Sequence, residues 1–332
     1  MRHSQIKLLA ISLFLIVSVF KVGHSFADDK FESIRVYIQA WLSEADTNKL
    51  IISSSYLKET IIDNWDKQRD QYQIVSVRKP DDYNNAGHIP NAINIYWIDI
   101  VNDESLAQLD TTKTLIIYCY YGHGSMISYT ILSLLGYRCY SLDFGMMDWN
   151  LDALVKEPWD QEADYEVEIT ANKHEETYLP PIIASEQGDA KSIIKEMAIK
   201  YFSREGSPVI ISSDVKAIVD DWEHKKTEYQ IVSVGTKKDY EKGHIPNSIN
   251  IPWTEIAEIE NLKKLDPYKT IIVYSDNGQT GQFATTVLNL LGYKAVDMKF
   301  GMMDWNKAYI DKFKLWDGFS DYRVERSSEH ER

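Results

Sequence analysis

Cysteine is scarce in this chain: 332 residues contain two, Cys119 and Cys139. An excess of basic charge is also missing. Lys and Arg number 36 against 50 Asp and Glu, for a formal net charge of -14. That balance argues against nucleic acid and anionic membrane surfaces as partners. Long apolar runs are confined to the very start, where Arg2 and Lys7 precede Leu8 to Phe20 and small residues follow at Ser25-Phe26-Ala27. This pattern predicts a secretory signal peptide over residues 1–27, cut after Ala27. The alternative is an uncleaved anchor, for which the run is short. Cleavage removes Arg2, Lys7 and Lys21 and takes the charge from -14 to -17. The expected location is a bacterial periplasm or the outside of the cell. A hydrophobic content of 44%, with 12% aromatics, argues against disorder and supplies packed cores for about two domains.

An oxidising compartment raises the question of a disulfide. Cys119 follows a predicted strand, Thr114 to Tyr118, and Cys139 opens the next, Arg138 to Leu142. A helix joins them, so the strands run parallel. The sulfurs then sit at opposite ends of the sheet, roughly 15 Å apart for five residues, whereas a disulfide needs Cα atoms within about 7 Å. Cys139 is expected as a small core residue, matched by Ala295, and Cys119 as a free thiol.

The chain is written twice. "YQIVSV" stands at Tyr72 and Tyr229, "GHIPNAINI" at Gly87 and "GHIPNSINI" at Gly243, "LLGY" at Leu134 and Leu290, "FGMMDWN" at Phe144 and Phe300. The offset is 157 early and 156 later, so one residue was lost between Tyr240 and Gly243. The repeat is too long for a solenoid and indicates duplication of a whole domain. Each copy opens on a helix (Phe31 to Ala45; Ala190 to Ser203), followed by a Ser-Ser pair capping a short helix. Strands follow at Gln73 to Val77 and Gln230 to Val234, Ala92 to Ile95 and Ser248 to Ile251, Thr114 to Tyr118 and Thr270 to Tyr274. Helical spacing resumes at Met126, Ile127, Ile131, Leu134 and Leu135, and a fourth strand with "FGMMDWN" closes the unit. Such alternation predicts an α/β fold of two tandem domains, each a mostly parallel sheet flanked by helices. The expected domains are 28–156 and 188–332, joined by an acidic linker over 157–187 that packs across both.

"YCYYGHGS" (Tyr118 to Ser125) puts Cys119 at a strand end and just ahead of a helix, where open parallel sheets bind ligands. Amides of a tight loop there form an anion-binding nest, aided by Gly122 and Gly124. The setting favours thiolate over thiol and would hold a persulfide equally well. The bland reading is a buried, inert cysteine. His123 either supports the thiolate when protonated or is a solvated loop residue. His88 and His244 recur in both copies and are expected to stabilise their turns. Met146, Met147 and Trp149, with Met302, Met303 and Trp305, fit a core or interdomain contact.

Together, Gly87 to Ile95, Tyr118 to Gly122, and Gly136-Tyr137 with Gly145 and Trp149 resemble the rhodanese (sulfurtransferase) family over nearly all of both halves. The resemblance implies a ping-pong reaction in which a Cys119 persulfide carries sulfane sulfur from a donor such as thiosulfate to a thiophilic acceptor. It implies no metal and no organic cofactor. A protein sulfur acceptor is a further possible partner. The loop departs from the family's Cys-x-x-Gly-x-Arg, because Gly124 stands where the arginine belongs, and this puts thiosulfate in doubt as the preferred donor. Ser76 replaces an acid that usually precedes the first-strand arginine, and Arg78 survives. Arg78 is the candidate anion-binding residue, or else a surface arginine. The loop from Tyr120 and Tyr121 through Gly122, His123, Gly124 and Ser125 completes the expected anion site. Its aromatic mouth suits polysulfide, a persulfidated protein or another less charged donor.

In the second copy Ser275 replaces the cysteine, Gly235 the arginine, and Asp276 adds a charge that repels anions. That copy is expected to be inert, the reverse of the usual tandem order, and no base stands beside Ser275 to make it a nucleophile. A cysteine phosphatase would need an arginine closing the loop. A thiol redox sensor would need a resolving cysteine. The remaining alternative to a sulfurtransferase is a sulfur or selenium carrier or binding module that docks a redox partner without turnover.

Overall fold

The computed structural model describes residues 25–44, 50–160, 163–311 and 314–326. Most of the expected export segment lies outside them, and among the described residues no helix is long and apolar enough to cross a membrane. Each half folds into a five-stranded, all-parallel sheet. The first runs β1 (Ile51–Ile52), β5 (Arg138–Leu142), β4 (Thr114–Tyr118), β2 (Tyr72–Ser76), β3 (Ala92–Asn94). The second repeats the order as β6 (Val209–Ile210), β10 (Lys294–Met298), β9 (Thr270–Tyr274), β7 (Tyr229–Ser233), β8 (Ile249–Asn250). The two-residue edge strands β1 and β6 are the strands not foreseen. They are too short to show alternation, and the Ser pair after Ile52 dominates the local pattern. Cys139 pairs with Leu115 in the β4–β5 register, at the far end of β4 from Cys119, and both cysteines are free.

Four helices lie between the sheets: Ser25–Glu44, His123–Leu135, Ala190–Phe202 and Gln279–Leu290. Ile34, Ile38 and Leu42 recur at helical spacing and are buried, so the first helix is anchored on its apolar stripe. One core joins these helices to Leu115, Ile117 and Cys119 of the first half and to Ile271, Val273 and Ala295 of the second. Trp41 stacks on Phe283 at 5.8 Å, and the Arg35 guanidinium donates to the Ala257 carbonyl at 3.1 Å. The halves therefore share apolar surface and do not meet edge to edge.

The connecting segments are exchanged. After the first copy, the chain leaves its own domain and straps the second. Glu168 and His244 exchange backbone hydrogen bonds at 2.9 Å, and Trp305 Nε1 donates to the Glu166 carbonyl at 2.8 Å. After the second copy, the chain returns to strap the first. His88 and Glu325 exchange bonds at 2.8 Å, and Trp149 Nε1 donates to the Arg323 carbonyl at 3.1 Å. Asp164-Tyr165 and Asp321-Tyr322 are matching residues of the repeat. The span expected to be linker from residue 157 thus begins with a structural strap, and the duplicated unit extends through it.

His88 and His244 stabilise the turns as expected. Each stacks on a tyrosine, Tyr83 at 3.9 Å and Tyr240 at 3.7 Å. Met146, Met147 and Trp149 are core residues, as are Met302, Met303 and Trp305.

Candidate active site

Tyr118 ends β4 fully buried, and its hydroxyl accepts from the Ile89 amide at 3.1 Å. The chain then turns through Cys119–Gly122 into the helix His123–Leu135. Gly122 makes the turn possible: its φ is +100°, a region side chains disfavour. That geometry aims the Gly122 amide at Cys119 Sγ, 3.2 Å away. The "GMMDWN" segment braces the loop from behind. Met146 and Met147 amides donate to the Cys119 and Tyr120 carbonyls, each at 3.0 Å. A Cβ on Gly145 would lie 2.4 Å from the Cys119 carbonyl oxygen, so only glycine fits there.

Cys119 is only 4% exposed, yet it lines a cavity of about 370 Å³ between the two halves. Tyr120, Tyr121, His123 and Gly124 line the same cavity. The structure adds residues that the sequence reading missed: Tyr96 and Trp97, the lysines Lys79 and Lys156, and, from the second half, Pro208, Val209 and Lys299. Lys156 lies 5.3 Å from the Tyr120 ring centroid and Lys299 4.2 Å from that of Tyr121. Tyr120 is fixed through its hydroxyl, which donates to Asp82 and accepts from the Lys79 amide at 3.3 Å. Tyr121 donates to the Glu157 carbonyl at 2.8 Å, and burial, with Cys119 and Glu157 nearby, pushes its phenol up to about 12. The mouth is aromatic, as expected, but it carries three ammonium groups.

Two expected anion-site residues, Arg78 and Ser125, lie away from the cavity wall. Arg78 is fully buried and absent from the cavity wall. Its guanidinium donates to the Ala153 carbonyl at 2.8 Å and to the Gly87 carbonyl, and it lies 5.7 Å from the Tyr120 ring centroid. It ties the chain after "FGMMDWN" to the Gly-His-Ile-Pro turn and is not a surface arginine. Lys79, one residue on, points to the cavity instead. Ser125 is buried behind the loop and bonds the Gly122 carbonyl and Ser141 Oγ, both at 2.9 Å. Gly122 contributes its amide to the sulfur and not a wall to the cavity.

His123 is neither solvated nor cationic. It is 7% exposed and lies against the second half, with Nδ1 2.9 Å from Asp297 Oδ2. Burial, reinforced by Lys299, pushes its imidazole down to about 3. Burial also pushes the Cys139 thiol up to about 12, as suits an inert core cysteine.

In the second half the same loop is sealed. Ser275 Oγ accepts from the Gly278 and Gly281 amides at 3.1 and 3.0 Å, so the hydroxyl itself fills the nest. Asp276 is bound by Lys314 at 2.6 Å, which also reaches Asp239 at 3.0 Å. The space left is about 10 Å³, room for about one water.

A description of the rhodanese-like domain matches residues 59–152 and again 214–308. Among curated proteins, the chain is 25% identical over 130 residues to the adenylyltransferase and sulfurtransferase UBA4 of Yarrowia lipolytica, covering 38% of this chain and 33% of that one. It is 28% identical over 109 residues to the protein of the same name from Ogataea parapolymorpha, covering 32% and 27%. The chain thus spans a third or less of these relatives. Among solved structures, a thiosulfate sulfurtransferase from Pseudomonas aeruginosa aligns over 89% of this chain and 49% of its own, at 16% identity and a TM-score of 0.30. A rhodanese-like domain protein from Staphylococcus aureus aligns over 29% and 89%, at 25% identity and a TM-score of 0.26. With four strands of each sheet, both loops and more than half of the residues matched, the chain belongs to the rhodanese-like domain family.

Proposed function

We propose that this protein is an exported sulfurtransferase that carries sulfane sulfur on Cys119. One observation bears most of the weight: of the two loops, only that of Cys119 opens on a cavity large enough for a substrate. In the first half-reaction the Cys119 thiolate attacks the sulfane sulfur of a donor. The donor's S–S bond breaks as the new one forms, and the leaving group departs with the electron pair. In the second, a thiophilic acceptor attacks the outer sulfur and Cys119 leaves as thiolate. No net oxidation occurs. The Gly122 amide favours the anionic sulfur in each state. Export rests on the pattern of residues 1–27.

A second reading, a carrier or binding module without turnover, draws on Gly124, which leaves the loop without its arginine. The two separate cleanly by mass spectrometry of the protein after incubation with thiosulfate or polysulfide. A gain of one sulfur in the wild type and none in Cys119→Ala supports sulfur transfer. Release of that sulfur to cyanide or a thiol, over many turnovers, separates an enzyme from a carrier. An accessible Cys119 that no donor loads would sink the proposal.

A further inference from the structure

The residue that follows the last long strand of each sheet is held alike in both halves. Asp143 donates its amide to Ile52, and Lys299 donates its amide to Ile210, each at 2.9 Å. They are equivalent positions of the repeat. The packing of the two halves carries each across to the other's loop. Asp143 accepts from Gln279, which opens the helix behind the sealed Ser275 loop. Lys299 reaches the open Cys119 cavity, where its ammonium lies 4.2 Å from the Tyr121 centroid and 4.8 Å from that of Phe300. An acid has therefore been placed at the dead loop and a base at the live one.

Resting on the Cys119 reading above, we infer that Lys299, contributed by the inert half, is a donor-binding residue that replaces the missing loop cation, and that the donor is a small organic persulfide bearing carboxylates. Three ammoniums from three segments, Lys79, Lys156 and Lys299, line the cavity on which Cys119 opens, and together they focus positive potential on an arriving anion. Half-buried Lys299 is only partly hydrated, so a carboxylate arriving there forms a charge-assisted contact. The volume, about 370 Å³, lies within the range of small organic ligand sites, about 300–1,000 Å³. Its apolar wall of Trp97, Ile127 and Val209 gives a carbon skeleton surface to bury, which thiosulfate cannot use. The inert half thus completes the active one. In the transfer, R–S–SH gives its outer sulfur, with its proton, to the Cys119 thiolate, and R–S⁻ leaves with the electron pair of the broken bond.

The test compares glutathione persulfide, thiosulfate and the uncharged-chain 2-hydroxyethyl persulfide as donors to wild type, Lys299→Gln, Lys299→Arg and the exposed Lys156→Gln. Wild type should show its lowest KM with glutathione persulfide. Lys299→Gln should raise that KM about tenfold, the loss of one charge-assisted contact, with kcat little changed. Lys299→Arg should restore it, and the KM for 2-hydroxyethyl persulfide should not move. Lys156→Gln, a surface change with little bearing on folding, should shift the same KM in the same direction. An equal shift for both persulfides, no shift at all, or a wild-type preference for thiosulfate would overturn the inference while leaving Cys119 as sulfur carrier. Failure of every donor to load Cys119 would instead overturn the reading beneath it.

Discussion

His123 Nδ1 stands 2.9 Å from Asp297 Oδ2 across the boundary between the two halves. His123 opens the helix behind Cys119, and Asp297 lies in β10, an inner strand of the other sheet, fully buried. Among the described residues neither atom has an assigned hydrogen-bond partner. What they share is a dry site, where burial disfavours the charged form of each.

That pair gives the protein a pH dependence with a definite sign. Burial pushes Asp297 well above its ordinary 3.8 and His123 down from 6.5 to about 3. The raised aspartate loses its contribution as pH rises above 3.8, and the depressed histidine loses its own as pH falls below 6.5. Just above pH 3.8 the aspartate slope therefore opposes the histidine slope. Asp143, raised by burial to about 6, adds to the aspartate side over the same window. Removing the Asp297 carboxyl leaves the histidine slope, up to ~1.4 kcal/mol per pH unit, less opposed. Denaturant midpoints between about pH 4 and about pH 6 should rise more steeply with pH in Asp297→Asn than in wild type. Parallel curves would show that Asp297 does not hold its proton in the folded protein.

Restoring a cysteine to the second loop should not restore a site. Ser275→Cys in a Cys119→Ala background is expected to take up no sulfur from any donor. About 10 Å³ remains there, and the Asp276–Lys314 pair is in place. Mass spectrometry of the double variant after donor incubation checks this, and a gain of one sulfur would refute it.

Arg78 and Lys79 should fail in opposite ways. Arg78→Met leaves the Ala153 and Gly87 carbonyls without a donor in a buried place. It should cost about 2–6 kcal/mol, at about 1–3 per orphaned group, with the donor KM of the folded fraction little changed. Lys79→Gln, on an exposed side chain, should stay within about 0.5 kcal/mol of wild type while raising the donor KM. Urea melts and loading kinetics on the two variants separate the roles.

Removing residues 318–332 should loosen the first domain, although the deletion lies at the far end of the chain. It takes away the Tyr322–Trp149 contact and the His88–Glu325 bonds, and it strands Trp149 Nε1. Each backbone bond contributes on the order of 1 kcal/mol. Amide exchange at His88 should accelerate at least tenfold, while that at His244, strapped by the linker, stays slow.

Much of this was legible in the sequence because it is written there twice. The repeated strands carry continuous apolar runs, the helices an apolar stripe, and the Gly-His-Ile-Pro turn its own punctuation. Those are local patterns, and they were enough for the α/β class, the two domains and the positions of Cys119 and Ser275. "DYEVE" and "DYRVE" also repeat, but five polar-rich residues without periodicity gave no sign of being structure, and the first strap passed for linker while the second passed for part of its own domain.

Chain order by itself determined which loop holds the cysteine, that the loop lies at a strand end before a helix, and that its copy holds serine. It could not say which way a side chain faces once the halves pack. Arg78 and Lys79 are neighbours in sequence, yet one is sealed behind the turn and the other lines the cavity. Lys299 comes 180 residues after Cys119 in the chain and lines the same cavity. Only tertiary structure decided these, because burial, the charge of His123 and the making of a shared cavity depend on surfaces brought together from distant parts of the chain.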